Sequence, residues 1–350
     1  MKQSFDEELD PVIREKMKKN LVYIGMFSVV MLFAGFTSAY IVSMGDSFWV
    51  KYDFPPAFYV STILIILSSL VLEFGIRKGK AGNSKLAQIG VLLTLILGIG
   101  FAYFQFKGYS QLVDNGAVAV NKITVANGRY GTYYEMKVNG KYLEVNGNDY
   151  LINGKVISET QKNEISSFAK QLETIGDMKP HAVNNYGKFT LTYKSQEVKM
   201  KENKFFVQDT VQLKFVDLKR MEEFSWHLRD GRGDFYHKGK YGKDFVIYFK
   251  GKKLDFKERS LYYKGRKLDP PLQLKMDDSA DAATSYLYII TFLHLLHILV
   301  TLIYMFRMSI RSFTGRLQYN NYLSVRLGAI FWHFLGALWI YLLLFLLFIH

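Results

Sequence analysis

Apolar residues gather into long uncharged runs near both ends of the chain, and a polar, lysine-rich stretch lies between them. Five runs stand out: Leu21–Val42, Ala57–Ile76, Leu86–Phe106, Ala283–Phe306 and Leu327–Ile349. A run of about 18 or more apolar residues with few charges reads as a membrane-spanning helix, because about 20 helical residues cover the hydrocarbon thickness. Glu73 falls in the second run, near its end rather than its centre. The pattern predicts a membrane all-α protein, a five-transmembrane-helix bundle with an inserted α+β domain. Residues 1–20 form an N-terminal segment, 21–107 the first three spans, 108–282 the insert and 283–350 the last two spans.

The insert is too long for a loop and about right for one small domain. Its most legible stretch is KVNGKYLEVNGNDYLINGKVI, with Asn-Gly pairs beginning at Asn139, Asn146 and Asn153. Asn-Gly between short apolar runs signals a tight hairpin, because both residues tolerate the positive φ of a type I′ turn. The stretch therefore predicts a β-meander. YFKGKKLDF and YYKGRKLDP repeat the strand, glycine turn, strand pattern later, too briefly to suggest a solenoid or propeller. Between the strand regions, Ile165, Phe168, Leu172 and Ile175 recur at helical spacing. Ser158 and Gln161 resemble a capping box, and Gly176 stands where such a helix would end. KFTLTYKS and FFVQDTVQLKFV alternate like half-buried strands.

Charge adds orientation. Arg14, Lys16, Lys18 and Lys19 precede the first span; Arg77, Lys78, Lys80 and Lys85 join the second to the third; Arg307, Arg311, Arg316 and Arg326 join the fourth to the fifth. In a five-span chain these loops share one side, and the excess of Lys and Arg in short loops marks it as cytoplasmic. The short loop at Gly45–Pro56, the insert and the C-terminus then face outward, the periplasmic side of a bacterial inner membrane. The first span lacks a small-residue cleavage site and is expected to be an uncleaved anchor.

The chain has 350 residues, 49% hydrophobic and 16% aromatic, with net charge +14 and no cysteine. Without cysteine there are no disulfides, thiolate metal sites, iron–sulfur clusters, cysteine-based copper centres or covalently attached c-type haem. About 31 Lys and Arg against about 23 Asp and Glu lie between Lys107 and Ala282. That excess reads first as a solvated basic surface, with anionic lipid headgroups or an acidic partner as the alternative. Nothing points to nucleic acid.

The candidate chemistry is sparse. His294 and His297, in TFLHLLHILV, lie three apart and so share one helix face. Two such histidines cannot clamp one iron from both sides, but His333 on the last span could pair with either of them as a haem ligand. The plainer reading is a hydrogen-bonded set that joins helices. Glu73 precedes Arg77 by four residues, the favourable order for a helix-end ion pair. Pro55 and Pro56 stand just before the second span, where a missing N–H costs little. In the insert, His181, His227 and His237 lack metal-ligand spacing, Glu222 and Glu223 with His227 read as surface charge, and GRGDF at Gly231–Phe235 reads as a polar turn. No hydrolase or nucleotide-binding motif occurs.

Taken together, the spans resemble subunit III of the haem–copper oxidases, the cytochrome c oxidase subunit III family, in a five-helix bacterial form. FLHLLHILVTLIYM carries a histidine pair similar to that family's, at His294 and His297. IFWHFLGALWIYLLLFLLFIH resembles the family's aromatic–His–Phe motif and following tryptophan, at Trp332, His333, Phe334 and Trp339. GMFSVVMLFAGFTSAYI is similar to the first core helix through Gly25, Met26, Ser28, Met31, Phe33, Ala34 and Tyr40. FPPAFYVSTILIILSSL matches a proline, Ser-Thr, Ser-Ser pattern, and TLILGIGFAYFQFKGY matches through Leu97, Gly98, Phe101, Gln105 and Tyr109. The likeness covers all five spans in order. Three family carboxylate positions depart, falling at Val29, Gly108 and Gly336, so roles tied to those acids do not carry over. The insert lies outside the resemblance.

The resemblance implies an accessory, structural subunit with no redox centre or catalytic residue of its own. It implies packing against oxidase subunits I and II, which carry the haem and copper, and bound phospholipid in a cleft between helices. Such a complex reduces oxygen in aerobic respiration and pumps protons. The insert is expected to dock a partner, such as another respiratory complex or cytochrome c. Two readings from other classes stand beside it: a haem b-binding membrane redox protein, and a membrane-anchored sensor with the insert as its ligand domain. A transporter fits poorly, since no broken helix or buried charge marks a midplane site.

Overall fold

The structure, a computed structural model, describes residues 11–119, 123, 129–131, 133–146, 149–173, 183–202, 204–233, 240–257, 260–269, 271–272, 275–276, 279–314 and 322–349. Expectations at Gly147, Ile175, Gly176, His181, Asp234, Phe235, His237 and Arg316 fall outside these residues. The chain divides into two compact units. One comprises Met1–Ser47, Phe54–Val113 and Ala282–His350; the other comprises Phe48–Asp53 and Asp114–Asp281.

The first unit holds five helices long and apolar enough to cross a membrane: α1 (Pro11–Met44), α2 (Pro56–Lys80), α3 (Ser84–Asp114), α6 (Ala282–Phe313) and α7 (Tyr322–Phe348). Pro56 opens α2 at its first helical position, and Arg77, Lys78 and Lys80 fill its last turn, where cations meet the negative end of the helix dipole. α7 packs against α6, α2 and α1, and is the most enclosed of the five; α1 is the least. α3 runs on past its apolar stretch because Gln105, Gly108 and Leu112 continue a buried stripe. Small residues set the closest approach. Gly75 of α2 faces Gly90 of α3 so tightly that a Cβ on Gly90 would stand 2.8 Å from the Gly75 Cα.

The second unit is built on one antiparallel sheet of eight strands, ordered β5-β4-β3-β2-β6-β7-β8-β9. These are β2 (Tyr134–Val138), β3 (Lys141–Asn146), β4 (Asp149–Ile152), β5 (Lys155–Val156), β6 (Phe189–Tyr193), β7 (Gln196–Lys201), β8 (Lys204–Val207) and β9 (Val211–Gln212). α4 (Glu159–Lys170) and α5 (Phe215–Arg229) share a core with its inner face through Ile165, Phe168, Leu218, Met221 and Phe224. The expected meander is present: Asn139 and Gly140, then Asn153 and Gly154, all have positive φ at the β2–β3 and β4–β5 turns. The expected capping box is also present. The Ser158 amide donates to Gln161 Oε1 at 3.1 Å, and the Gln161 amide donates to Ser158 Oγ at 3.3 Å. Phe215 and Val216, read with the strand before them, instead open α5.

The sheet contains an internal repeat that the sequence conceals. β2, β3 and β4 begin at 134, 141 and 149, and β6, β7 and β8 begin at 189, 196 and 204, a constant offset of 55 residues. Met136 pairs with Leu191 at the centre of the sheet, as a local two-fold axis requires. Each half is four strands followed by a helix, and core positions correspond: Leu143 with Val198, Tyr150 with Phe205, Phe168 with Phe224, Leu172 with Leu228.

A smaller β region completes this unit, and it corrects one expectation. The sequence pattern makes Gly45–Pro56 a short loop, yet Phe48–Tyr52 forms strand β1 and pairs along its full length with β10 (Phe245–Phe249). Phe48 and Val50 join Phe245, Ile247 and Phe249 in a separate core. β11 (Lys252–Lys253) extends this sheet, and β12 (Asp255–Lys257), β13 (Ser260–Tyr263) and β14 (Arg266–Lys267) form another of three strands. The two lysine–glycine echoes are the β10–β11 and β13–β14 turns, with positive φ at Lys250, Gly251, Lys264 and Gly265.

Candidate functional site

The polar groups singled out in the sequence lie on α2, α6 and α7. His294 of α6 is fully buried, and its Nε2–H donates to the Leu335 carbonyl of α7 at 3.0 Å. A carbonyl only accepts, so the proton sits on Nε2 and Nδ1 is a bare acceptor, which has no partner among the described residues. Three rings enclose the imidazole: Phe33 at 6.4 Å, Phe101 at 6.0 Å and Trp339 at 5.3 Å between centroids.

His297 does not join this contact. Its Nδ1–H donates to the Leu293 carbonyl one turn back on its own helix, at 2.7 Å. His333 is part-buried and faces α2, with Nε2 3.9 Å from Glu73 Oε2. Glu73 is held closer by Arg77, whose Nε lies 2.7 Å from Oε1. Both side chains of that pair are well exposed, so within the chain it contributes only about 0.3–0.5 kcal/mol. The three histidines therefore have three separate roles. Of the imidazole hydrogen bonds, that of His294 links one helix to another.

The tryptophans are the other links. Trp332 Nε1–H donates to Ser68 Oγ at 3.0 Å and Trp339 Nε1–H to Thr62 Oγ1 at 2.8 Å, so both fasten α7 to α2. Ser68 and Thr62 pass their own protons to the Ile65 and Phe58 carbonyls at 2.7 Å each. Sequence reasoning found the indoles and missed their acceptors. The signal was there, since Ser61-Thr62 and Ser68-Ser69 stand seven apart and recur on one helix face. Gln105, whose Nε2–H donates to Ser61 Oγ at 2.9 Å, and Tyr341, whose hydroxyl donates to Thr37 at 3.1 Å, extend the same cross-linking to α3 and α1.

Two of the positions that depart from the oxidase pattern are filled by packing. A Cβ on Gly108 would stand 2.5 Å from the fully buried Phe58 ring, and a Cβ on Gly336 would be 3.3 Å from Ser69 Oγ. Gly108→Asp is expected to destabilise the helical unit by about 1–3 kcal/mol, the cost of overpacking. Adding Phe58→Ala should recover part of that loss, because the ring is the obstacle. Denaturant unfolding of both variants in detergent checks this; equal stability of Gly108→Asp and the parent would contradict it.

In the second unit a concavity of about 240 Å³ is lined by Tyr193, Lys194, Gln196, Lys214 and Asp217 among others. Tyr193 donates to Asp217 Oδ1 at 2.5 Å, Tyr134 donates to the Asp217 carbonyl at 2.9 Å, and the Arg220 guanidinium covers the Tyr133 ring at 4.2 Å. Burial, then the hydrogen bond to Asp217, pushes the Tyr193 hydroxyl up to about 12. A hydroxyl that holds its proton more tightly when folded stabilises the fold below the unfolded pKa of about 10, and that stability is lost as pH rises from there towards about 12. Tyr193→Phe should flatten this part of the pH–stability curve of the chain; an unchanged alkaline slope would contradict the assignment. His227 lies on α5, and Glu222 pairs with Lys219 at 2.7 Å. Among the described residues no three His, Asp or Glu side chains converge as metal ligands.

Comparisons with protein families, curated proteins and solved structures return no match.

Proposed function

We propose that this chain is an accessory, subunit III-like component of a bacterial haem–copper terminal oxidase. In this reading it supports the catalytic subunits structurally, binds phospholipid and carries no redox centre. The observation that carries the proposal is how the histidine and tryptophan side chains of α6 and α7 are used. The His294 proton is committed to the Leu335 carbonyl within a closed ring of Phe33, Phe101 and Trp339, and both indoles are committed to α2 hydroxyls. Side chains of that kind hold helices together. A haem b ligand needs an imidazole nitrogen that faces a slot wide enough for a porphyrin, and the rings of Phe33, Phe101 and Trp339 stand where His294 would need that slot.

The five apolar helices are compatible with a multi-pass membrane protein. The pairing of β1 with β10 supports the proposed topology. β1 follows α1 and β10 follows α3, so two crossings separate them and both emerge on one side. The basic loops make that side the outer one, and the insert would there meet a partner complex or an electron donor such as cytochrome c.

The pairing also dictates the test of the insert. Removing residues 114–281 alone strips Phe48 and Val50 of their core, so a deletion must replace residues 48–53 as well. Such a variant is expected to lose oxidase assembly or coupling to its donor. Unchanged purification and turnover would count against a docking role.

A further inference from the structure

We propose that the outward face of α6 around His297 docks a transmembrane helix of a different chain, one that presents an O–H or N–H donor at the depth of that imidazole. The inference rests on reading α6 as a membrane span within a multi-subunit complex. His297 Nδ1–H is spent on the Leu293 carbonyl, so the neutral ring offers Nε2 as a bare acceptor. The ring is only part-buried, Phe33 of α1 lies beside it at 6.0 Å between centroids, and Nε2 has no partner among the described residues.

Depth makes this costly. His297 is 15 residues from the start and 16 from the end of α6 (Ala282–Phe313), so at about 1.5 Å per residue it lies roughly 22–24 Å from either end. That is deeper than half of a hydrocarbon core about 30 Å thick, where water does not reach and lipid tails carry no donors. An acceptor left there unpaired is strongly unfavourable in an isolated chain, and polar groups at such depth face protein rather than lipid. The occupant must therefore be protein, and it must supply the proton.

The same face argues against a second copy of this chain packed by a two-fold axis on α6. The exposed side chains around His297 are Phe292, Leu296, Val300 and Ile303, which have no donor, and two turns on Tyr304, whose hydroxyl proton is already given to the Ser324 carbonyl at 2.8 Å. A two-fold contact would set acceptor and hydrocarbon against acceptor and hydrocarbon. A different helix with a serine, threonine, tyrosine or tryptophan opposite His297 satisfies the site.

The test compares the tagged full chain with His297→Leu and His297→Asn, purified from membranes in mild detergent, by co-purifying composition and by the apparent affinity of whatever is retained. His297→Leu is expected to weaken one membrane-spanning partner about three- to fifteen-fold, the effect of one intramembrane hydrogen bond. Unfolding of the chain itself should be unchanged, and His297→Asn, which keeps an acceptor, should retain most of the affinity. Equal retention by all three proteins would overturn the inference, and so would a self-oligomer that dissociates on His297→Leu. If the partner lost on His297→Leu is a membrane protein other than an oxidase subunit, the subunit III reading falls and this docking face stands.

Discussion

Gly131→Ala should leave the second unit unfolded or close to it. Gly131 has φ +104°, a conformation that side-chain-bearing residues rarely adopt, and a Cβ there would lie 1.7 Å from the Tyr134 carbonyl oxygen and 2.9 Å from the Phe224 ring. Tyr134 opens β2, at the centre of the eight-stranded sheet, and Phe224 belongs to the core beneath it, so neither can give way cheaply. Backbone strain and overpacking together should cost about 3–5 kcal/mol, a large share of what a domain of this size has. Gly140→Ala is the matched control. Its φ is +76°, but nothing lies within 4 Å of the added methyl, so only the turn's preference is lost, about 1 kcal/mol. Thermal unfolding or limited proteolysis of the two variants should separate them clearly; similar losses would mean that the close approach at Gly131 does not constrain the fold.

Trp339→Ala should be the most damaging single change in the helical unit. The indole is fully buried, donates to Thr62, and touches the rings of Phe58, Phe101 and His294. Between apolar helices the loss is mainly of packing contacts and of one hydrogen bond, since lipid is as apolar as the helix interior. A truncation of this size costs about 3–5 kcal/mol. Trp332→Phe, which keeps the ring and loses only the bond to Ser68, should cost about 0.6 kcal/mol, a typical intramembrane hydrogen bond. Denaturant titration in detergent micelles measures both. A Trp339→Ala protein as stable as Trp332→Phe would remove the indole from the centre of the packing.

These two sites differ in how visible they are in the sequence. Trp339 sits in an apolar run whose length and composition alone announce a helix, and its partner Thr62 belongs to a small polar pair repeated after seven residues. The Asn-Gly turns at Asn139 and Asn153 were equally legible, because both residue types accept positive φ. Lys194 and Ser195 make the equivalent turn of the second half at φ 49° and 66°, and neither residue signals it. That is why the repeat stayed hidden: the halves share the spacing of apolar residues, and few identities. β1 was hidden for another reason. Five residues between two membrane-length runs look like a loop, and their partner strand lies far along the chain, where no local pattern points back to it. Gly131 carries no mark in the sequence either, since its constraint comes from a ring and a carbonyl that only the folded sheet brings near.

The histidines show the limit of pattern reasoning most clearly. Three imidazoles at plausible spacing read as one set, but their roles follow from which carbonyl or carboxylate lies opposite each, and helix rotation decides that. His294 meets a carbonyl on the neighbouring helix, His297 turns back on its own, and His333 faces Glu73.

The most direct measurement is affinity purification of the tagged full-length chain in mild detergent, with mass spectrometry of what accompanies it and a reduced-minus-oxidised absorbance spectrum before and after the chain is separated. Oxidase subunits I and II should co-purify, and the haem signal should stay with them when this chain is removed. A chain that purifies alone and carries the haem signal would contradict the proposal and would make His294, His297 or His333 an iron ligand.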